Sequence, residues 1–417
     1  MAMKIMIVGA GAAGIMAANM LSKKGFSVTV LEQQERIGGR IHTYVPEGFV
    51  NAVEAGAEFI HGHLPLTLKL LKRAQLATTT ASMNMHRIGN GKIVHGFGRS
   101  KAWGQFYALL EALEADTTLD AFLGRHFPGK KYRLLRDEVQ QMAQGLDLAD
   151  PAEVSLLSLK AEWLSEETQY RPVTGYQPLL EFLYNKAAAG GCKIIFNETV
   201  KSIRWERGRA VVHTLNQSFE NDIVIITSSL GCLQSEDIKF APEIPELLPQ
   251  FQRIGFGAVI KLLFEFDQPF WEQELPELGF LFAEKGFTFW TQLDQHVPVL
   301  TGWIGNDCVS HYDAFSDEAL INISLETLLE AFPETQLHFR TAAVFRYNAQ
   351  SPSRGGYSWP KPESRKAVKQ LNKGIEDTIF FAGEAFDPTF ETATVEAALE
   401  SGKYVAGRII RKFRRDS

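Results

Sequence analysis

The residues of this chain best able to do chemistry begin at its N-terminus. Gly9-x-Gly11-x-x-Gly14 directly follows an apolar run, Ile5–Val8, and opens a segment with helical pattern, Ala12–Lys24. Glu32 closes the next apolar run, Ser27–Leu31. Each residue type has a physical reason to be there. Gly9 permits a tight turn, Gly11 lets backbone approach a pyrophosphate, and Gly14 lets helix and strand pack closely. The helix start at Ala12 and Ala13 offers free N–H groups and a positive dipole end to phosphates. Glu32 can accept hydrogen bonds from ribose hydroxyls. A glycine triplet alone is weak, but strand, helix and terminal acid around it point to a dinucleotide site. The fingerprint by itself fits NAD or FAD.

Lys261 is the second informative residue. Within Gly255–Phe264, GFGAVIKLLF, it is the only charged side chain, and strand alternation groups it with Gly257, Val259, Leu263 and Glu265. A buried lysine needs a partner or a task. The alternative is a solvent-facing lysine guarding a sheet edge. The histidines show no metal spacing, and no Ser-His-Asp or Cys-His arrangement stands out.

The elements that must position these residues are scattered. A βαβ unit opens the chain, and helical spacing dominates after Gly62, with Trp103, Phe106, Leu110 and Leu113 on one face. Strand-like runs come next at Lys193–Trp205, Arg209–Leu215, Asp222–Thr227 and Phe256–Phe266, and a last one at Thr378–Ala382. Val395, Ala398, Leu399, Gly402, Val405, Ala406, Ile409 and Ile410 make the apolar stripe of a final helix. The length suggests two to three domains, and 45% hydrophobic residues can fill large cores. With 43 basic against 49 acidic residues spread along the chain, a general nucleic-acid binder is a poor fit. No apolar window is long enough to span a membrane. Three cysteines without paired spacing fit a reduced, cytoplasmic compartment.

The residues just after the second strand separate NAD from FAD. Glu32-Gln-Gln-Glu-Arg36-Ile-Gly38-Gly39-Arg40 resembles the extension of glutathione-reductase-type FAD proteins, most closely the flavin amine oxidases. Further segments in family order extend the resemblance over nearly the whole chain. They are Ala55-Gly56-Ala57-Glu-Phe-Ile-His61-Gly62, Thr174-Gly-Tyr-Gln, Asn197-Glu-Thr-Val200, Thr227-Ser-Ser-Leu-Gly-Cys-Leu, Arg354-Gly-Gly-Tyr357-Ser358, Phe380-Phe-Ala-Gly383-Glu384, and Ala393-Thr394-Val395 through Gly402. The resemblance implies an α/β fold: a Rossmann-like FAD domain (residues 1–80, 190–245 and 365–417) interleaved with an α+β substrate domain (81–189 and 246–364).

It also implies roles. Gly39 and Arg40 lie against the FAD diphosphate, Gly56 and Ala57 run beneath the flavin ring, and Val200 meets the adenine. Gly383 and Glu384 face the ribityl or phosphate region, and Thr394–Val395 face the flavin N1–C2=O edge. Lys261 holds a water against flavin N5, and Tyr357 walls the substrate amine. The alternative for Tyr357 is a packed core aromatic. His61 is either a pocket residue or a hydrogen-bonded core imidazole. Glu58 could attract a second ammonium of a diamine, but reads better as a paired surface carboxylate.

Three departures from the family pattern leave the substrate open. Gly356 stands where mitochondrial monoamine oxidases carry a flavin-linked Cys, so FAD should be noncovalent. Thr394 replaces a second cage tyrosine, and Tyr347 stands for the usual upstream tryptophan. The implied function is oxidation of a small-molecule amine by hydride transfer to flavin N5, with oxygen reduced to hydrogen peroxide. A flavin desaturase of protoporphyrinogen or carotenoid type, and a flavin-bound protein without turnover, are the alternatives.

Overall fold

In the computed structural model, described for residues 2–413 apart from 90, 96, 166, 293–295 and 334–337, the first apolar run forms the strand Lys4–Val8, with all but Lys4 buried. A strand apolar on both faces favours parallel neighbours with helices packed over them. On one side it pairs with Ser27–Leu31, which in turn pairs with Lys193–Ile195. On the other side it pairs with Ile223–Ile226, which is followed by Ile379–Phe381. All four pairings are parallel, so the start, middle and end of the chain share one sheet.

One face of this sheet is covered by the helices Ala12–Ser22, Gln177–Ala189 and Val395–Phe413. The final helix crosses the first at Gly402, where an added Cβ would stand 2.2 Å from the Ala13 carbonyl oxygen. The other face packs with a four-stranded sheet in the order Ser218–Asn221, Arg209–Thr214, Val200–Glu206, Lys239–Ala241.

A seven-stranded sheet lies elsewhere in the chain. Its order is Phe339–Tyr347, Val259–Phe266, Val299–Gly305, Phe287–Thr291, Phe280–Phe282, Met85–Gly89, Lys92–His95. Every residue of Val259–Phe266 is buried, and both of its edges are paired. The edge-guard reading of Lys261 is therefore wrong. The long strand expected over Phe256–Phe266 is broken at Ala258. Gly255–Gly257 leaves to pair with Tyr357–Trp359. There a Cβ on Gly257 would meet the Leu148 side chain at 2.3 Å, so the crossing needs glycine.

The stretch after Gly62 is less uniformly helical than its spacing predicts. Helices Pro65–Ala74 and Lys101–Glu111 are separated by strands Thr78–Thr80, Met85–Gly89 and Lys92–His95. The β-branched threonines at 78–80 pair with Tyr170–Pro172, a distant partner that local pattern does not reveal. Among the described residues no helix is long and apolar enough to cross a membrane.

The close crossing at Gly402 gives a first prediction. Gly402→Ala forces the first and last helices apart against backbone, not against a side chain that could turn away. The variant should lose about 1–3 kcal/mol, the usual range for overpacking. Thermal unfolding of the holoprotein measures this; an unchanged midpoint would contradict the crossing.

Candidate active site

The dinucleotide loop takes the form its glycines require. Gly9 has φ +108°, and a Cβ there would meet the Thr227 hydroxyl at 2.8 Å. At Gly14 a Cβ would lie 2.1 Å from the Gly9 carbonyl oxygen. The helix Ala12–Ser22 begins at Gly11 with no side-chain cap. The first-turn N–H groups of Ala12, Ala13 and Gly14 therefore have no acceptor within the helix. Space lies open beside this end. A Cβ on Gly11 would find only the Gly38 oxygen at 3.9 Å, and one on Gly39 only the Gly11 Cα at 3.9 Å. Two glycine backbones facing an open space at an uncapped helix start suit a diphosphate.

Glu32 stands at the rim of this cradle. Its Oε2 accepts from Ala10 N at 2.8 Å and its Oε1 from Gln34 N at 2.9 Å. Burial raises its pKa, and these backbone donors and Arg36 act against the rise. Each oxygen keeps a lone pair for a hydroxyl donor. Arg36 is not aimed at the cradle. It ties its own turn together by donating to the carbonyls of Ile37, Gly39 and Ile41.

Arg40 joins two distant segments. Its Nη1 donates to Glu384 Oε1 at 2.8 Å and to the Gly356 carbonyl at 2.7 Å. Glu384 also accepts from Ser358 Oγ at 2.5 Å and from Ala393 N at 3.1 Å. The Arg40 guanidinium, expected against the FAD diphosphate, is thus already partly engaged, although it remains about a quarter accessible, at 26%. Gly383, at φ +153°, precedes Glu384, so the chain enters this corner in a conformation that favours glycine. Thr394 caps the last helix, its hydroxyl accepting from Ala397 N at 3.0 Å, with buried Val395 beginning the helix. Val200 is buried at the start of its strand, beside a register shift.

The Gly56–Ala57 segment runs against Arg40. Ala57 N donates to the Arg40 carbonyl at 3.1 Å, and a Cβ on Gly56 would collide with that oxygen at 1.9 Å. Lys261 lies at this segment with 0% exposure. Its Nζ donates to the Gly56 carbonyl at 2.9 Å and is paired with Glu58 Oε1. Glu58 is therefore paired, as the sequence suggested, but it is buried and not on the surface. Its Oε1 also accepts from Gln292 Nε2 at 3.0 Å and Thr301 Oγ1 at 3.2 Å, and its Oε2 from Trp290 Nε1 at 3.1 Å.

Sequence reasoning missed the partners of this pair. Trp290 and Thr301 come from neighbouring strands aligned by the register Leu263↔Thr301 and Trp290↔Thr301, and Gln292 follows the end of the Trp290 strand. Glu54 was missed too. It is buried, accepts from Tyr176 N at 2.5 Å, and has its pKa pushed by burial up to about 8. Arg171 is also buried; its guanidinium lies 4.5 Å from the Phe59 ring centre.

Tyr357 keeps accessible surface, and its hydroxyl donates to the Leu146 carbonyl. Its ring faces Trp303 at 6.3 Å, and Trp303 contacts Trp290 at 5.2 Å. Tyr347 donates to the Ala55 carbonyl at 2.9 Å. Aromatic surface thus extends from Tyr357 to the Lys261–Glu58 pair. His61 is not a core imidazole. It is exposed, and its Nδ1 lies 3.0 Å from Gln169 Oε1. Among the described residues no group of His, Cys, Asp or Glu could hold a metal ion.

A nucleotide cradle on a parallel sheet, joined to a buried lysine beside an aromatic wall, suits a flavin-binding protein. Comparison with known proteins agrees. The model of flavin-containing amine oxidoreductases matches residues 87–410, and that of NAD(P)-binding Rossmann-like domains matches 7–74. The chain belongs to the flavin-containing amine oxidoreductase family, and its cofactor is FAD.

It is 27% identical to the lysine-specific histone demethylase 1 homolog 1 of Arabidopsis thaliana, over 99% of this chain and 52% of that protein. It is 26% identical to polyamine oxidase 2 of Arabidopsis thaliana, over 96% of this chain and 87% of that protein. The chain thus spans about half the length of the demethylase relative. Cyclohexylamine oxidase from Brevibacterium oxydans shares its fold, with TM-score 0.83 at 18% identity and full coverage of both chains.

The pKa of Glu54 gives a second prediction. Folded, this carboxyl keeps its proton up to about pH 8; unfolded, it releases it near its ordinary value of 4.5. The folded state then binds more protons than the unfolded state between these values, so stability falls as pH rises through that window. Asp387, raised by burial to about 6, adds the same sign over the lower part of it. Urea unfolding from pH 5 to 8 should show the decline, and Glu54→Gln should flatten it. Equal slopes in the two proteins would contradict the assignment.

Proposed function

We propose that this protein oxidises a small-molecule amine to an imine at the space bounded by Gly56–Ala57, Lys261 and Tyr357. Lys261 carries the reading: a buried ammonium held at the segment that the family resemblance runs beneath the flavin ring. The chemistry that bound FAD would supply is redox: it would accept a hydride from the carbon next to the amine and be reoxidised by oxygen, which would leave as hydrogen peroxide.

The chain's own residues bind, orient and exclude water. Gly9, Gly11, Ala12, Ala13, Gly14 and Gly39 present backbone to the diphosphate. Glu32 receives the ribose hydroxyls. Arg40 and Glu384, tied to each other, fix the corner where the two segments meet. Thr394 and Val395 present the start of the final helix, where a positive dipole end favours negative charge. Tyr357, Trp303 and Trp290 form a wall suited to an amine. Lys261 donates toward the reacting centre. His61 lies outside this inner wall, and its exposure suits the mouth of the site. We assign the FAD-binding unit to residues 1–80, 190–245 and 365–417, because the five parallel strands lie in these three segments, and extend it to the helix Gln177–Ala189, which packs on the same sheet from outside those bounds. Three free cysteines fit a reduced compartment such as the cytoplasm.

FAD is held without a covalent bond in this reading, because Gly356 and not a cysteine precedes Tyr357. The purified protein should be yellow and release intact FAD on acid precipitation. A panel of mono-, di- and polyamines should generate peroxide with at least one member. Flavin left in the pellet would contradict noncovalent binding. Bound FAD with no amine turnover would favour a desaturase or a binding protein instead.

A further inference from the structure

We propose that Glu58 is a positioning residue of this site, acting through Lys261: it fixes the ammonium in place and keeps it charged. This rests on the reading of Lys261 as part of the amine-oxidising centre. Glu58 is 5% exposed and Lys261 0%, so neither relies on bulk water. The ammonium has three donors. One goes to the Gly56 carbonyl and one to Glu58, which leaves the third free to point elsewhere in the site. Glu58 is itself held on both oxygens by Trp290, Gln292 and Thr301. Gln292 is fixed in turn, donating to the Glu54 carbonyl at 3.0 Å and accepting from Glu54 N at 2.8 Å. The carboxylate is thus a rigid anchor, and the flexible lysine is the group it orients.

Among the described residues, Glu54 approaches the pair from the same segment as Glu58 and Arg171 from Tyr170–Pro172, while Tyr176 and Tyr347 lie beside Glu54. Burial pushes the Glu54 carboxyl up to about 8, and Glu58 is the carboxylate paired with Lys261. Removing its charge strands a buried ammonium, and burial favours the neutral amine in that circumstance. Glu58 would then control not only where the lysine sits but over what pH range it stays a cation.

The test compares wild type, Glu58→Gln, Lys261→Met and the double variant as FAD holoproteins. Flavin reduction by an amine active in the panel is followed anaerobically from pH 6 to 9. Glu58→Gln should approach wild type at pH 6 and fall on the order of tenfold to a hundredfold by pH 9, the usual cost of losing a positioned polar group. The double variant should match Lys261→Met, because Glu58 acts through the lysine. A Glu58→Gln profile parallel to wild type, or effects that simply add, would overturn the proposal.

The midpoint potential of the bound flavin at pH 6 gives a readout that needs no amine. Lys261→Met should lower it and Glu58→Gln should raise it. Unchanged potentials in both would place the pair away from the flavin and end the proposal even if amines are oxidised. Shifted potentials without amine turnover would retire the amine reading and leave the coupling standing. If Glu58→Gln does not retain FAD, Glu58→Asp replaces it: the charge stays and the reach shortens. Its rate should fall while its pH profile stays that of wild type. A wild-type rate would overturn the proposal.

Discussion

A lysine ammonium buried on an inner strand of a seven-stranded sheet must find acceptors inside the protein, and most of the site depends on how Lys261 finds them. Its acceptors, the Gly56 carbonyl and Glu58, lie in a segment some two hundred residues earlier. That segment must therefore lie across the sheet, which places Gly56 and Ala57 between the Arg40 backbone on one side and the Lys261 strand on the other. Breaking a buried ion pair by deleting one partner commonly costs about 3–5 kcal/mol, so the pair also disfavours misplacing the segment. The same contact thus fixes the geometry of the site and the packing of the chain around it.

Carboxylates that accept backbone N–H groups from distant segments repeat this arrangement elsewhere. Glu32 takes Ala10 N, Glu384 takes Ala393 N and Arg40, and Glu265 takes Val50 N and Asn51 N. Glu396, at the start of the final helix, caps the helix Pro65–Ala74 through Leu66 N at 2.8 Å and Thr67 N at 2.6 Å. Pieces separated in sequence are joined by acceptors that each satisfy otherwise orphaned donors. A cofactor that touches the same segments adds to that connection by binding the folded state alone.

Much of the nucleotide region was legible in the sequence because its constraints are local. Gly9, Gly14 and Gly39 are demanded by close approach or positive φ, and Glu32 by its place at a strand end. The chemistry around Lys261 was only half legible. One charge in an apolar run marks the residue, but strand alternation cannot say whether the edges are paired. Glu58 looked like a surface carboxylate because the residues that bury it, Trp290, Gln292 and Thr301, become neighbours only through sheet register. Glu54 gave no sequence signal, since its raised pKa is a property of enclosure. His61 went the other way, because a motif position does not reveal exposure.

Whether Lys261 belongs to the reacting centre decides the function of the whole site. The direct measurement is rapid-mixing absorbance of the bound flavin in wild type and in Lys261→Met. Anaerobic reduction by amine and reoxidation by oxygen are followed as separate half-reactions. A lysine at the centre predicts retained FAD with a loss on the order of a hundredfold in one or both half-reactions. Wild-type rates in both, with FAD still bound, would place the lysine outside the chemistry and contradict this role.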